Sequence, residues 1–168
     1  HLIKIDDISD AQVLSLAKAA IKGPARSSAA NGHKRSGVAL VFLENSTRTR
    51  MSFERAAQEI HRPVVFMGAE GTSVAKGETL LDTLQCLRQY KCGVFVVRTS
   101  QSNALEALRD MDLGHLINAG DGTEEHPTQA LLDFATLLEF VNGNVKKLNN
   151  FNLGIVGDLK HSRVARSW

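Results

Sequence analysis

Apolar residues along this chain fall into short unbroken runs, separated by longer stretches in which they recur at helical spacing. The clearest run is Val38-Ala39-Leu40-Val41-Phe42-Leu43. It is β-branched and continuous, the pattern of a parallel strand buried on both faces. Val64-Val65-Phe66-Met67 after Pro63, Val94-Phe95-Val96-Val97 and Leu116-Ile117-Asn118-Ala119 predict three more strands. Between them lie helical patterns. Met51, Phe53, Ala56, Ala57 and Ile60 form one apolar face, in a helix ending around His61. Leu80, Leu81, Leu84, Leu87 and Tyr90 form another, over about 78–90. A helix is predicted from Asn103 to about Met111, and a long one from Pro127, carrying Leu131, Leu132, Phe134, Leu137, Leu138 and Phe140. An amphipathic helix precedes them all over about 8–20, with Ser9 or Asp10 as its N-cap.

The order is therefore one helix, then strand and helix four times over. That alternation predicts an α/β fold: a parallel sheet with helices on both faces, in three layers. Ligands of such sheets bind beyond the carboxyl ends of the strands. Glu44–Arg50, Gly68–Lys76, Arg98-Thr99-Ser100 and Gly120–Gln129 occupy those ends. Every polar cluster of interest thus falls on one rim. Gly23–Gly37 reads as a surface loop, and 68–77 is long for a βα connection, as functional loops often are. Asn142-Gly143-Asn144 closes the last helix, and Leu153-Gly154-Ile155-Val156 followed by Gly157-Asp158 reads as a new strand. The expected division is a first domain over 1–148 and the start of a second over 149–168, where the chain stops.

Candidate chemistry concentrates in Glu44-Asn45-Ser46-Thr47-Arg48-Thr49-Arg50. Three hydroxyls and two guanidinia stand where a strand gives way to a helix, beside free backbone N–H groups and the positive end of the helix dipole. Capping needs only one of them, so the excess points to an anion, phosphate first. Arg98 emerges just past its strand with a fork suited to phosphate or a carbonyl oxygen. His126, at a helix start, could donate from a neutral imidazole to a polarising carbonyl. Lys76 lies near the rim, but neither G-x-x-x-x-G-K-[ST] nor G-x-G-x-x-G occurs, so ATP and dinucleotide sites are poorly supported. Cys86, Cys92, His115 and His126 lie on different elements and lack metal-ligand spacing. No G-x-S-x-G elbow supports a serine nucleophile.

Bulk properties narrow the picture further. The 168 residues have room for one good-sized core and the beginning of a second. A formal charge of +2 is too small to argue for nucleic acid or an anionic membrane, and no apolar run is long enough to span a bilayer. Cys86 and Cys92 read as buried free thiols of a reducing compartment. Asn45-Ser46-Thr47 matches a glycosylation sequon, but a glycan there would fill the anion site, so the match reads as chance in a cytoplasmic protein.

Phe42-Leu43-Glu44-Asn45-Ser46-Thr47-Arg48-Thr49-Arg50-Met51-Ser52-Phe53-Glu54 resembles the carbamoyl phosphate signature of the transcarbamoylases, and His126-Pro127-Thr128-Gln129-Ala130-Leu131 resembles their second motif. Within that family, Ser73–Thr79, Asn118–Gly122 and Val156–Lys160 are similar to the aspartate branch rather than the ornithine branch. The resemblance covers nearly the whole chain in order, and it implies a Rossmann-like carbamoyl phosphate domain. It implies transfer of a carbamoyl group from carbamoyl phosphate to the α-amine of L-aspartate, in pyrimidine (UMP) biosynthesis, without cofactor or metal. Ser46, Thr47, Arg48 and Thr49, helped by Arg98, would hold the phosphate. Thr49, Arg98 and His126 would hold the carbonyl oxygen, and Gln129 the amide. Ser73 and Lys76 would reach a neighbouring subunit's site, making the working unit a homotrimer with shared sites. Arg163 would bind an aspartate carboxylate, and Glu44 would bridge toward arginines of the second domain on closure. Arg50 and Glu54 read as structural. A regulatory or dihydroorotase partner is compatible with all of this.

Two rival readings stay open at this point. One is a transcarbamoylase for ornithine or a related amine, distinguished by which amine is carbamoylated. The other is a non-catalytic module that binds carbamoyl phosphate. The residues expected from a second domain are not in this chain, so the 168-residue segment alone is expected to turn over nothing.

Overall fold

The computed structural model describes residues 1–23, 36–69 and 77–168. Helix α1 (Asp10–Lys22) comes first, then β1 (Gly37–Phe42), α2 (Thr47–Glu59), β2 (Val64–Gly68), α3 (Leu80–Gln89), β3 (Cys92–Thr99), β4 (His115–Asp121), α4 (Pro127–Phe140) and the short α5 (Arg163–Arg166). The four strands form one parallel sheet in the order β2-β1-β3-β4. Residue Leu2 extends its far edge by a parallel bridge to Ile117.

All six residues of β1 are buried, and side-chain alternation sorts them onto two faces. Ala39 and Val41 join Phe95 and Val97 in a core with Leu84 and Leu87 of α3. Val38, Leu40 and Phe42 join Val96 and Ala119 in a second core, under Ala57 and Phe53 of α2. Helices therefore cover both faces, giving the three layers that the alternation implied. A third cluster, Ala17, Ala135, Leu138 and Val141, fastens α1 to α4.

This strand order creates a switch point. From β1 the chain moves outward to β2, whereas from β3 it moves the opposite way to β4. The connections leaving β1 and β3 thus diverge and open a crevice above their carboxyl ends. Glu44–Arg50 follow β1, and Arg98 lies at the end of β3 in register with Phe42.

Several expectations are corrected. The helix predicted from Asn103 is a single 3-10 turn, Glu106–Leu108. Asn103 sits at φ 60°, in the left-handed region, and the amides of Leu108, Arg109 and Met111 bond three residues back rather than four. Asp110 and Asp112 add poor helix propensity. The run 153–156 forms no strand: Leu153, Ile155 and Val156 are exposed, because no described strand lies beside them to pair with. Tyr90 lies at the C-cap of α3 and is 73% exposed, outside the apolar stripe. Cys92 is buried, but Cys86 is exposed. It stands two residues from Leu84, and about 200° around a helix is the opposite face.

Candidate active site at the strand switch point

The helix α2 starts differently from its neighbours. In α1, Ser9 accepts the Gln12 amide, and in α3 Thr79 accepts the Asp82 amide; each closes a capping box. Ser46 holds the N-cap position of α2 with extended backbone, and its hydroxyl makes no cap bond. Among the described residues the amides of Thr47, Arg48 and Thr49 also meet no acceptor. This helix end keeps its donors available.

A cleft opens over that end. Asn45, Ser46, Thr47, Arg48 and Thr49 line it from α2's start, Arg98 from β3, and His126, Thr128 and Gln129 from the start of α4. Three separate segments of sequence thus meet at the switch point. Apolar side chains also line the cleft, among them Phe53 and Ala56 of α2 and Leu131 and Leu132 of α4.

Arg98 is firmly held. Its Nη1 donates to the Ala119 carbonyl at 3.0 Å, and its Nη2 donates to Glu44 Oε1 at 3.0 Å. Its Nε is buried with no partner among the described residues. Glu44 also accepts from Arg163 Nη2 at 2.6 Å, so one carboxylate links two guanidinia. Burial pushes the Glu44 carboxyl up, but the hydrogen bond from Arg163 and the charges of Arg98 and Arg163 outweigh it, and the net shift is below the usual carboxylate range. The Nε of Arg163 donates to the Gly122 carbonyl. The resemblance implied a bridge from Glu44 toward arginines of the second domain on closure; in this structure Glu44 bridges two arginines. Its partners are Arg98 and Arg163, the two arginines that the resemblance assigned to substrates.

Gly120 makes the crossing of these guanidinia feasible. It sits at φ 122°, and a Cβ there would lie 2.8 Å from Arg98 Nη1 and 3.0 Å from Arg163 Nη1. Beside it Asp121 is buried with Oδ1 unpartnered among the described residues. Burial pushes its carboxyl above the usual range, and the amides of Ala104 and Asn103, bonded to it, only partly offset this.

His126 precedes Pro127, the first residue of α4. Its backbone amide donates to Ser167 Oγ at 3.0 Å, and its ring Nδ1 lies 3.3 Å from Thr128 Oγ1. Burial, and then the charges of Arg98 and Arg163, push the imidazole down to about 4. It is therefore neutral at ordinary pH. Gln129 Nε2 donates to Asp133 Oδ1 at 2.9 Å, which leaves the amide oxygen to face a ligand.

Of the residues singled out by sequence, Ser46, Thr47, Arg48, Thr49, Arg98, His126 and Gln129 share this cleft. Arg163 reaches its edge through Glu44. Ser73 and Lys76 lie outside the described residues. Arg50, read as structural, stacks its guanidinium 4.7 Å above the Phe66 ring. Sequence reasoning missed Asp133, Thr128 and Ser167. The i,i+4 spacing of Gln129 and Asp133 was a usable signal. The contact of Ser167 spans 41 residues and left none.

The geometry defines an α/β domain that presents donors to an anion at the switch point of a parallel sheet. The chain belongs to the aspartate/ornithine carbamoyltransferase family: the family model described as aspartate/ornithine carbamoyltransferase, carbamoyl-P binding domain, matches residues 1–139. It is 49% identical over 130 residues to an aspartate carbamoyltransferase catalytic subunit of Chlorobaculum tepidum, covering 77% of this chain and 41% of that protein. The corresponding subunit of Gluconobacter oxydans is 42% identical over 171 residues, covering 99% of this chain and 53% of the relative. Among solved structures, the catalytic subunit of M. jannaschii aspartate transcarbamoylase superposes with a TM-score of 0.79 at 32% identity, over 99% of this chain and 54% of the other. Aspartate transcarbamoylase from Trypanosoma cruzi, in complex with carbamoyl phosphate and aspartate, gives 0.77 at 32% identity, again over 99% and 54%. The chain thus spans about half the length of the relatives it matches.

Proposed function

We propose that this domain binds carbamoyl phosphate, and that the protein carrying it transfers the carbamoyl group to the α-amine of L-aspartate. The products are N-carbamoyl-L-aspartate and phosphate, in pyrimidine biosynthesis. The observation that carries this reading is the meeting of Ser46–Thr49, Arg98, a neutral His126 and Gln129 around one cleft. The T. cruzi relative, described in complex with carbamoyl phosphate and aspartate, supports the same pair of substrates.

Each group has a role that follows from its chemistry. Ser46, Thr47, Arg48 and Thr49, with the free amides of the helix start, bind the phosphate. Thr49, Arg98 and the His126 imidazole donate toward the carbonyl oxygen, while the free oxygen of Gln129 accepts from the carbamoyl amide. The aspartate amine attacks the carbamoyl carbon and gives a tetrahedral oxyanion. As that collapses, the carbon–oxygen bond to phosphate breaks and the amine releases a proton. Donors already aimed at the oxyanion stabilise it without reorganising, and holding two substrates together supplies the rest. Arg98 has to turn from Glu44 toward substrate, and Arg163 toward an aspartate carboxylate, so binding is coupled to loosening of the Glu44 bridge.

By the same resemblance the working unit is a cytoplasmic homotrimer in which Ser73 and Lys76 complete a neighbour's site. Residues 149–168 begin the aspartate-binding domain. The test is product formation by the full-length protein, with L-aspartate and L-ornithine offered in turn. Carbamoyl aspartate as the main product is expected; carbamoylation of ornithine, or of neither, would refute the reading. His126→Ala should lower kcat about 10²–10³-fold, as loss of one oxyanion donor does, with the thermal transition retained. An unchanged kcat in that folded variant would remove His126 from the mechanism.

A further inference from the structure

The Thr128 hydroxyl points at His126 Nδ1 from 3.3 Å. Burial, and then the charges of Arg98 and Arg163, keep the ring neutral, so only one of its nitrogens carries a proton. Which one decides what the imidazole can do. Protonated on Nε2 it is a donor toward the cleft; protonated on Nδ1 it presents a lone pair instead.

The hydrogen-bond inventory favours one arrangement. A threonine hydroxyl has a single hydrogen to give. Thr128 stands in the first turn of α4, where its hydroxyl has no other acceptor among the described residues. With its hydrogen on Nδ1 both groups are satisfied. With the proton on Nδ1 instead, the hydroxyl oxygen would accept it, and the hydroxyl hydrogen would be left with no acceptor among the described residues. Nε2 has no partner among the described residues, and the side chain lines the cleft.

We propose that Thr128 is a positioning residue: its hydroxyl donates to His126 Nδ1, fixes the imidazole as the Nε2–H tautomer and so aims a donor into the cleft. The inference rests on the carbamoyl-transfer reading only for its kinetic consequence. The tautomer itself is a property of the unliganded protein. Thr128 touches the ring and acts through it.

The test uses full-length protein labelled with nitrogen-15 in histidine, with the His126 ring assigned by its loss in His126→Gln. Long-range proton–nitrogen correlation at neutral pH should show Nδ1 unprotonated and Nε2 protonated. Thr128→Val should shift the Nδ1 resonance or mix the two tautomers. It should also lower kcat about 3- to 10-fold, the worth of one ordinary hydrogen bond, with little change in the KM for carbamoyl phosphate. Thr128→Ser, which keeps the hydroxyl, should restore both readouts. A protonated Nδ1 in the parent protein overturns the inference, and that spectrum does not depend on any variant folding. A Thr128→Val protein with unaltered ring resonances, or with altered resonances and unaltered kcat, overturns it as well. If the parent carries out no carbamoyl transfer, the proposed reaction fails, while the tautomer measurement still decides the role of Thr128.

Discussion

His126 is neutral because burial and two nearby guanidinia oppose its charging, and that has a consequence for folding. The imidazole titrates near 6.5 in an unfolded chain and near 4 in the folded one. Between those values the unfolded chain binds the extra proton, so stability is full above about pH 6.5 and falls as pH drops through 4. The loss is on the order of 3 kcal/mol. Urea midpoints at pH 7 and pH 4 should therefore converge in His126→Gln more than in the parent protein. Glu44, whose carboxyl is held below its usual range, loses its contribution as pH falls below the ordinary carboxylate value, and it does so in both proteins. Gly120 is the second residue on which the site turns. Gly120→Ala forces a side chain to φ 122° and presses a methyl group on Arg98 Nη1 and Arg163 Nη1. About 1–3 kcal/mol of strain is expected, seen as a lowered melting temperature, along with a raised KM for carbamoyl phosphate because the guanidinia must move.

The helix α2 separates stability from function. Its N-cap Ser46 makes no capping bond, whereas Thr79 caps α3 through the Asp82 amide at 3.1 Å. Thr79→Ala should cost about 1 kcal/mol of stability. Ser46→Ala should change stability by less than about 0.5 kcal/mol, yet weaken carbamoyl phosphate binding. Paired urea melts and ligand titrations would show the contrast; a Ser46→Ala protein as destabilised as Thr79→Ala would mean that Ser46 is an ordinary cap. The elements themselves were largely legible, because continuous apolar runs and helical spacing are local. The excess of hydroxyls and arginines after β1 and the His126–Gln129 motif were legible for the same reason. What escaped was set by long-range or backbone geometry. The left-handed Asn103 stops a helix that its apolar spacing allowed. The run 153–156 reads as a strand but has no described neighbour to pair with. The bridge from Glu44 to Arg163 spans 119 residues, and no spacing rule reaches that far.

Across the whole molecule, the strand order β2-β1-β3-β4 brings three distant segments to one crevice. Two arginines with a shared carboxylate stand at its edge. The proposed reaction requires substrate anions to replace Glu44 on Arg98 and Arg163. The most direct test is calorimetric titration of the full-length protein with a bisubstrate analogue joining a phosphonate to aspartate, repeated on Arg98→Ala. The account predicts micromolar or tighter binding, weakened at least about tenfold by the loss of Arg98, which removes a charge-assisted contact. No binding by the parent protein, or equal binding by Arg98→Ala, would contradict it.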